Sequence, residues 1–215
     1  MADRTLSLTR QAIDTISAGA CSALLKPHGF KRRAPHLWRA TEGIYQCVNF
    51  QASQWGSSDD GTFTINLGVS SPVLYVAFTG RSFPKNPATA LWPIHVRLGG
   101  LMPTRCDLWW QVTRQTDVNA LASEVATALR DYALPFFERT RTPEQFNQLL
   151  LSGAPIPGVT SAQRPLIGAT LAAQLGDTDV AHRLLTDALC DHQGKPFESA
   201  VRAVARQLGV QLDGA

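Results

Sequence analysis

The stretch Ile44-Tyr45-Gln46-Cys47-Val48-Asn49-Phe50-Gln51-Ala52-Ser53-Gln54-Trp55, followed after a short loop by Thr62-Phe63-Thr64-Ile65-Asn66-Leu67-Gly68-Val69-Ser70, changes character at nearly every residue. In the first segment the even positions Ile44, Val48, Phe50 and Ala52 are apolar, and the odd positions Asn49, Gln51 and Ser53 are polar. In the second the parity inverts, with Phe63, Ile65, Leu67 and Val69 apolar and Thr62, Thr64 and Asn66 polar. Side chains of a strand point to alternate faces, so both segments read as half-buried strands of an antiparallel sheet. Gly56-Ser57-Ser58-Asp59-Asp60-Gly61 between them is a hairpin loop. A one-residue slip would set one strand's apolar row against the other's polar row, so paired position numbers must sum to an odd value. A sum of 117 puts Ala52 against Ile65, Phe50 against Leu67 and Gln51 against Asn66.

Working outward, His36 to Ala40, Ile94 to Leu98 and Asp107 to Thr113 add three shorter strands. In the last, Trp110 shares a side with Leu108 and Val112, while Trp109 shares the other with Asp107 and Gln111. Pro84, Pro87 and Pro93 make Pro72 to Trp92 a loop-rich crossover, in which Val73 to Phe78 fits either a buried strand or a helical turn. Before the sheet, Leu6, Ile13, Ile16, Ala20 and Leu24 recur at helical spacings, and Pro27 and Gly29 end that helix near Lys26. After it, Asp117 caps a helix carrying Val118, Leu121, Val125 and Leu129 into Tyr132 to Phe137, and Thr142-Pro143-Glu144 opens another through Leu151. Past a linker at Ser152 to Gly158, helices are expected at Pro165 to Leu175, Asp179 to Leu189 and Phe197 to Leu208. The expected fold is α+β: an N-terminal helix on a mainly antiparallel meander of about five strands, then a C-terminal helical segment. It divides into an α+β domain over 1–140 and a helical extension over 141–215.

Composition narrows the function classes. The 215 residues are 44% apolar and 17% charged, a globular balance. Val73 to Phe78 is far shorter than the roughly 18 residues of a membrane span. Asp3 and Asp14 near the start do not suit a secretory signal. Cys21, Cys47, Cys106 and Cys190 are too scattered for a zinc site, so a reduced, cytoplasmic protein is expected. A net charge of +3 is small for a nucleic-acid binder.

The ordered series Gly29-Phe30-Lys31-Arg32-Arg33, Leu37-Trp38-Arg39, Val48-Asn49-Phe50-Gln51 with Ser53, Phe63-Thr64-Ile65-Asn66-Leu67-Gly68-Val69, Arg97-Leu98-Gly99 and Trp109-Trp110 resembles the bacterial domain-of-unknown-function family 4304, over roughly residues 10–130. The resemblance implies a fold and no catalytic residues. Some domains of this general type serve as immunity proteins of bacterial toxin systems, which implies a protein partner.

The odd face of the first strand and its neighbours would collect Asn49, Gln51, Ser53, Thr64, Asn66, His95, Arg97, Trp109 and Gln111. Amides with Trp and Arg anchors and few Lys or Asp are the mix of an interface core. That face is therefore expected to recognise a protein, unless the C-terminal helices cover it and its amides form a buried network. A small-ligand or enzymatic site on the same face is the alternative, with His95 and Arg97 converging on a pocket. The basic patch Lys26, Lys31, Arg32, Arg33 and Arg39, interleaved with Phe30 and Trp38, would suit an acidic partner or, less favourably, single-stranded nucleic acid. Asp59 and Asp60 fit a hairpin tip, and His182, Cys190 and His192 fit ordinary helix-end polarity. The sequence carries no P-loop, Gly-x-Gly-x-x-Gly, His-Glu-x-x-His or Gly-x-Ser-x-Gly motif, so no cofactor, metal or catalyst is expected.

Overall fold

A computed structural model describes residues 7–212, so Asp3 and Leu6 lie outside the described residues. Ser7 accepts from the Arg10 N–H and opens α1 (Leu8–Ala18), and a break at Gly19 separates it from α2 (Ala20–Leu25). The single helix expected from Leu6 to Leu24 is thus two, because Gly19 leaves helical geometry at ψ −108°. Six strands follow: β1 (Lys31–Arg33), β2 (His36–Ala40), β3 (Tyr45–Gly56), β4 (Asp60–Ser70), β5 (Ile94–Arg97) and β6 (Trp110–Thr113). Their order is β1-β2-β3-β4-β5, with β6 also pairing β4. The extra strand is β1, whose run of bases has no apolar alternation to announce it. It is antiparallel to β2, with Lys31 opposite Trp38 and Arg33 opposite His36.

Two bonds match the register sum of 117 for β3 and β4. The Ser57 N–H donates to the Asp60 carbonyl at 2.7 Å, and Asn66 Nδ2 donates to Gln51 Oε1 at 2.8 Å. The pairing of β6 extends the same logic, with Phe63 opposite Trp110 and Thr62 opposite Gln111. Trp110 is buried and stacks on Phe63 at 5.5 Å, and Phe63 meets Phe50 at 6.2 Å.

The chain divides into two compact units. One takes residues up to Ala40, Gln46–Gly68 and His95–Glu138, and the other takes Thr41–Tyr45, Val69–Ile94 and residues from Arg139 on. In the first unit α1 packs on α2, on β6 and on α5 (Val118–Ala128), which Asp117 caps through the Asn119 and Ala120 N–H groups. Pro135 has no N–H to give, and the helix widens into a π turn at Leu129–Ala133 before continuing as α6 (Leu134–Arg139). Between β5 and β6 lies the short α4 (Leu98–Leu101).

The second unit holds α3 (Pro72–Thr79), α7 (Pro143–Leu151), α8 (Gln163–Gln174), α9 (Thr178–His192) and α10 (Glu198–Leu208). The stretch expected to be loop-rich therefore begins with two turns of helix. Ser71 accepts from the Leu74 N–H, Pro72 takes the first helical position, and Gly80 at φ +66° ends it. Ala77 joins Leu166, Ala169, Ala181, Leu185, Val201 and Val204 in this unit's core, so the tail's small-residue stripes pack on a segment from the middle of the chain.

A charged side chain, paired with the buried Gln46, sits inside the first unit's core. Arg39, assigned from sequence to an exposed basic patch, is 3% exposed, because odd positions of β2 face the apolar side. Its Nε donates to Gln46 Oε1 at 2.7 Å, Nη1 to the His28 carbonyl at 2.9 Å and Nη2 to Glu138 Oε1 at 2.9 Å. The guanidinium also lies 4.9 Å from the centre of the Phe30 ring. Glu138 is open to water, so the ion pair contributes little, and the cost of losing Arg39 comes from the stranded Gln46 and His28 oxygens. Arg39→Met is expected to destabilise the fold by about 2 kcal/mol or more in urea unfolding; an unchanged midpoint would refute this placement. A second check concerns the thiols. Cys21 and Cys47 are buried and burial pushes both up to about 12, whereas Cys106 and Cys190 are exposed. The native protein should therefore titrate two thiols rapidly with a disulfide reagent and all four once denatured.

Candidate functional site

The polar side of the sheet is built from even positions of β2 and β4 and odd positions of β3 and β5. Gln51, His95 and Gln111 are exposed, Asn49, Ser53, Arg97 and Trp109 are half-buried, and Thr64 and Asn66 are buried. A chain of amides crosses it. Asn66 Nδ2 donates to Asn49 Oδ1 at 3.2 Å as well as to Gln51, and Asn49 Nδ2 donates to His36 Nδ1 at 3.2 Å, which leaves the ring proton on Nε2. Turning Asn66 over alone would set its oxygen against two others, so the three amides can reverse only together. Its Oδ1 is then left buried without a partner.

Next to this chain stands an aromatic and cationic pair. The Arg97 guanidinium lies 5.0 Å from the centre of the Trp109 ring, Arg97 Nε is 3.7 Å from Asp107 Oδ1, and the Trp109 indole N–H donates to Asp107 Oδ2 at 3.0 Å. Trp109 precedes β6 rather than lying within it, and carrying the β6 register back one residue sets it opposite Thr64. Gly99 explains the approach. A Cβ there would overlap the Cys106 carbonyl and crowd Leu108, so only glycine lets the Asp107-Trp109 segment close on α4 and reach Arg97. Arg97 Nη1 is buried and, like Asn66 Oδ1, has no hydrogen-bond partner. Gln111 Nε2 reaches Asp60 Oδ1 at 3.4 Å on the rim.

The structure gathers Asn49, Gln51, Asn66, His95, Arg97, Trp109 and Gln111 on one face. The five bases are dispersed instead. Arg39 is in the core, Arg32 turns to α1 where it bonds Ser17 and pairs with Asp14 at 3.5 Å, and Lys31 stands 6.0 Å over Trp38. Lys26 and Arg33 are exposed. Phe30, which alternates with these bases in the sequence, is a core residue and packs on Phe137 at 5.4 Å. Sequence reasoning passed over two residues. His36 ends the amide chain, a role its parity in β2 could have signalled, and Trp55 stands 87% exposed at the hairpin end of β3. A cleft of about 80 Å³ beside Trp55, lined by Ser53, Gln54, Asp60 and Thr62, is small against the roughly 300–1,000 Å³ of ordinary small-molecule sites. Cys47 Sγ is 3.9 Å from His36 Nδ1, yet burial holds the thiol protonated, so this contact is no activated nucleophile.

A family model described as Domain of unknown function (DUF4304) matches residues 21–139, more than half of the chain, including all six strands. The chain belongs to the DUF4304 family. No curated protein and no solved structure matches it. No helix among the described residues is long and apolar enough to cross a membrane. The match takes in the whole polar face of this DUF4304 chain and stops before α7.

Burial holds His36 below the ordinary 6.5, and burial followed by the Arg97 charge does the same for His95. Both rings are neutral at pH 7, so the face presents amides and indole more than charge. A histidine depressed in the folded chain leaves the unfolded chain holding more protons at and just below pH 6.5, so stability falls as pH drops through that value. Unfolding at pH 7.5 and 5.5 should show this loss, and His36→Gln should reduce it. Equal pH dependence in both proteins would show that burial does not hold His36 neutral in the folded chain.

Proposed function

We propose that this chain is a non-enzymatic protein-recognition module of the bacterial cytoplasm, with the polar sheet face as its docking surface. The observation that carries the reading is the Arg97–Trp109 stack. It is half-exposed, and Asp107 holds both partners before any binding occurs. Tryptophan and arginine are the residues from which interfaces draw most of their energy, and pre-ordering them removes part of the entropy cost of association. The surrounding Gln51, Gln111 and His95 supply a polar, exposed rim. Trp55, outside this face's central cluster, offers a second large apolar contact.

The kind of partner we propose is a cognate toxin, neutralised by occlusion of its active site, which is the role some domains of this general type serve. Affinity capture of the full chain from the source cell's lysate, with a nuclease-treated control, should recover one stoichiometric protein. Trp109→Ala and Arg97→Ala should each weaken that complex by at least about 1 kcal/mol, roughly fivefold in Kd, while circular dichroism shows the fold intact. Full-strength binding by both folded variants would remove the face from consideration. Recovery of nucleic acid alone would end the protein-recognition reading.

A further inference from the structure

Five bases lie on the six strands, and their partners divide them. Arg32, Arg39 and Arg97 each face a carboxylate, on Asp14, Glu138 and Asp107 in turn. Lys31 and Arg33 are exposed and, among the described residues, have no ion-pair partner. The β1–β2 register sets Lys31 opposite Trp38 and Arg33 opposite His36, so both bases stand on the polar side of the sheet, where His36 leads on to Asn49 and Asn66. Lys31 Nζ lies 6.0 Å from the centre of the half-buried Trp38 ring. The one acid on the strands, Asp60, is at the far side of the sheet, where it accepts from Gln111. The face is therefore uncompensated and positive at β1, and balanced at β5.

Resting on the recognition reading, we propose that the partner lays an acidic, extended peptide segment on this end of the face, with one carboxylate on Lys31 beside the Trp38 ring and the next on Arg33. Residues two apart on a strand stand roughly 6.6 Å from one another, so carboxylates on alternate residues of an extended segment match the two bases in spacing as well as in charge. The rest of the partner's footprint, over the amides and the compensated Arg97, needs no net charge. An edge strand also carries bases simply to deter pairing with another sheet, and β1 is such an edge; that role asks for no ligand and predicts no saturable binding. A nucleic acid draws its affinity from many neutralised phosphates, and here two cations are free while Arg32 and Arg39 are paired on the other side of the sheet.

The test uses the full chain, labelled with nitrogen-15, and three probes at matched, low ionic strength: the capped peptide Glu-Ala-Glu-Ala-Glu, its glutamine counterpart, and pentathymidylate. The acidic peptide should produce saturable shifts of the Lys31 and Arg33 amides and of the Trp38 indole N–H, and the glutamine peptide should not. Replacing both bases, Lys31→Ser with Arg33→Ser, should weaken the acidic peptide at least about fivefold, whereas Lys26→Ser, at an exposed base outside the strands, should leave it unchanged. Absence of saturation in the native protein overturns the proposal without recourse to any variant, as do equal shifts at exposed bases elsewhere, such as Arg81 and Lys85. Tighter binding of pentathymidylate would assign the pair to nucleic acid and equally overturn it. If a stoichiometric protein partner is captured while the acidic peptide fails, only the acidic-segment inference falls. If no protein partner is captured, the recognition reading falls, and this inference with it, whatever the peptide does.

Discussion

Pairing of β3 with β4 is the constraint on which the rest of the structure depends. Val48 and Phe50 on one strand and Phe63, Ile65, Leu67 and Val69 on the other are all essentially buried. Each such side chain contributes about 1.5–3 kcal/mol when removed from water, so the two rows together contribute on the order of 10 kcal/mol. That is comparable to the whole net stability of an ordinary domain, roughly 5–15 kcal/mol. A register slipped by one residue would forfeit it, because one strand's amide row would then turn to the apolar side.

The same constraint creates the candidate site. Because side chains alternate, fixing the apolar rows inside fixes the amide rows on the opposite face, where Asn66 meets Asn49 and Gln51 across the strand pair. The network then has a direction, from a bare acceptor at Asn66 to the His36 ring. Parity also explains Arg39, which sits where a hydrophobic residue would be expected. Its stem and guanidinium cover Phe30, and each of its three nitrogens donates one bond, to Gln46, the His28 carbonyl and Glu138. An arginine in a core is tolerated when its polar end is met by acceptors.

The insertion between β5 and β6 completes the face. The two strands lie along one partner, β4, and the residues between them fold back so that Asp107 and Trp109 return to Arg97. Gly99 permits that return by giving its space to the Cys106 carbonyl. The proposed recognition elements thus come from a loop held by backbone contact.

Much of this was legible in the chain itself. Period-two alternation over Ile44–Ser70 determines the strand pair, its parity and the membership of both faces, since those follow from local geometry and burial alone. Capping residues such as Asp117 and Thr142 likewise mark helix starts, because the bonds they make are to N–H groups two or three residues away. Other features depend on contacts distant in sequence and have no local signature. The run Lys31-Arg32-Arg33 reads as a charged loop, and only β2 beside it makes it a strand. Val73 to Phe78 is apolar on all sides, which suits either a strand or a helix, and its place in a helical core decides for the helix. Arg39 reads as a surface base, and only the convergence of Gln46, His28 and Glu138 allows it inside. The sequence determined which side chains share a face; the tertiary structure decided which of their polar atoms are satisfied and which, at Asn66 and Arg97, are left open, because hydrogen-bond partners are set by three-dimensional proximity and not by spacing along the chain.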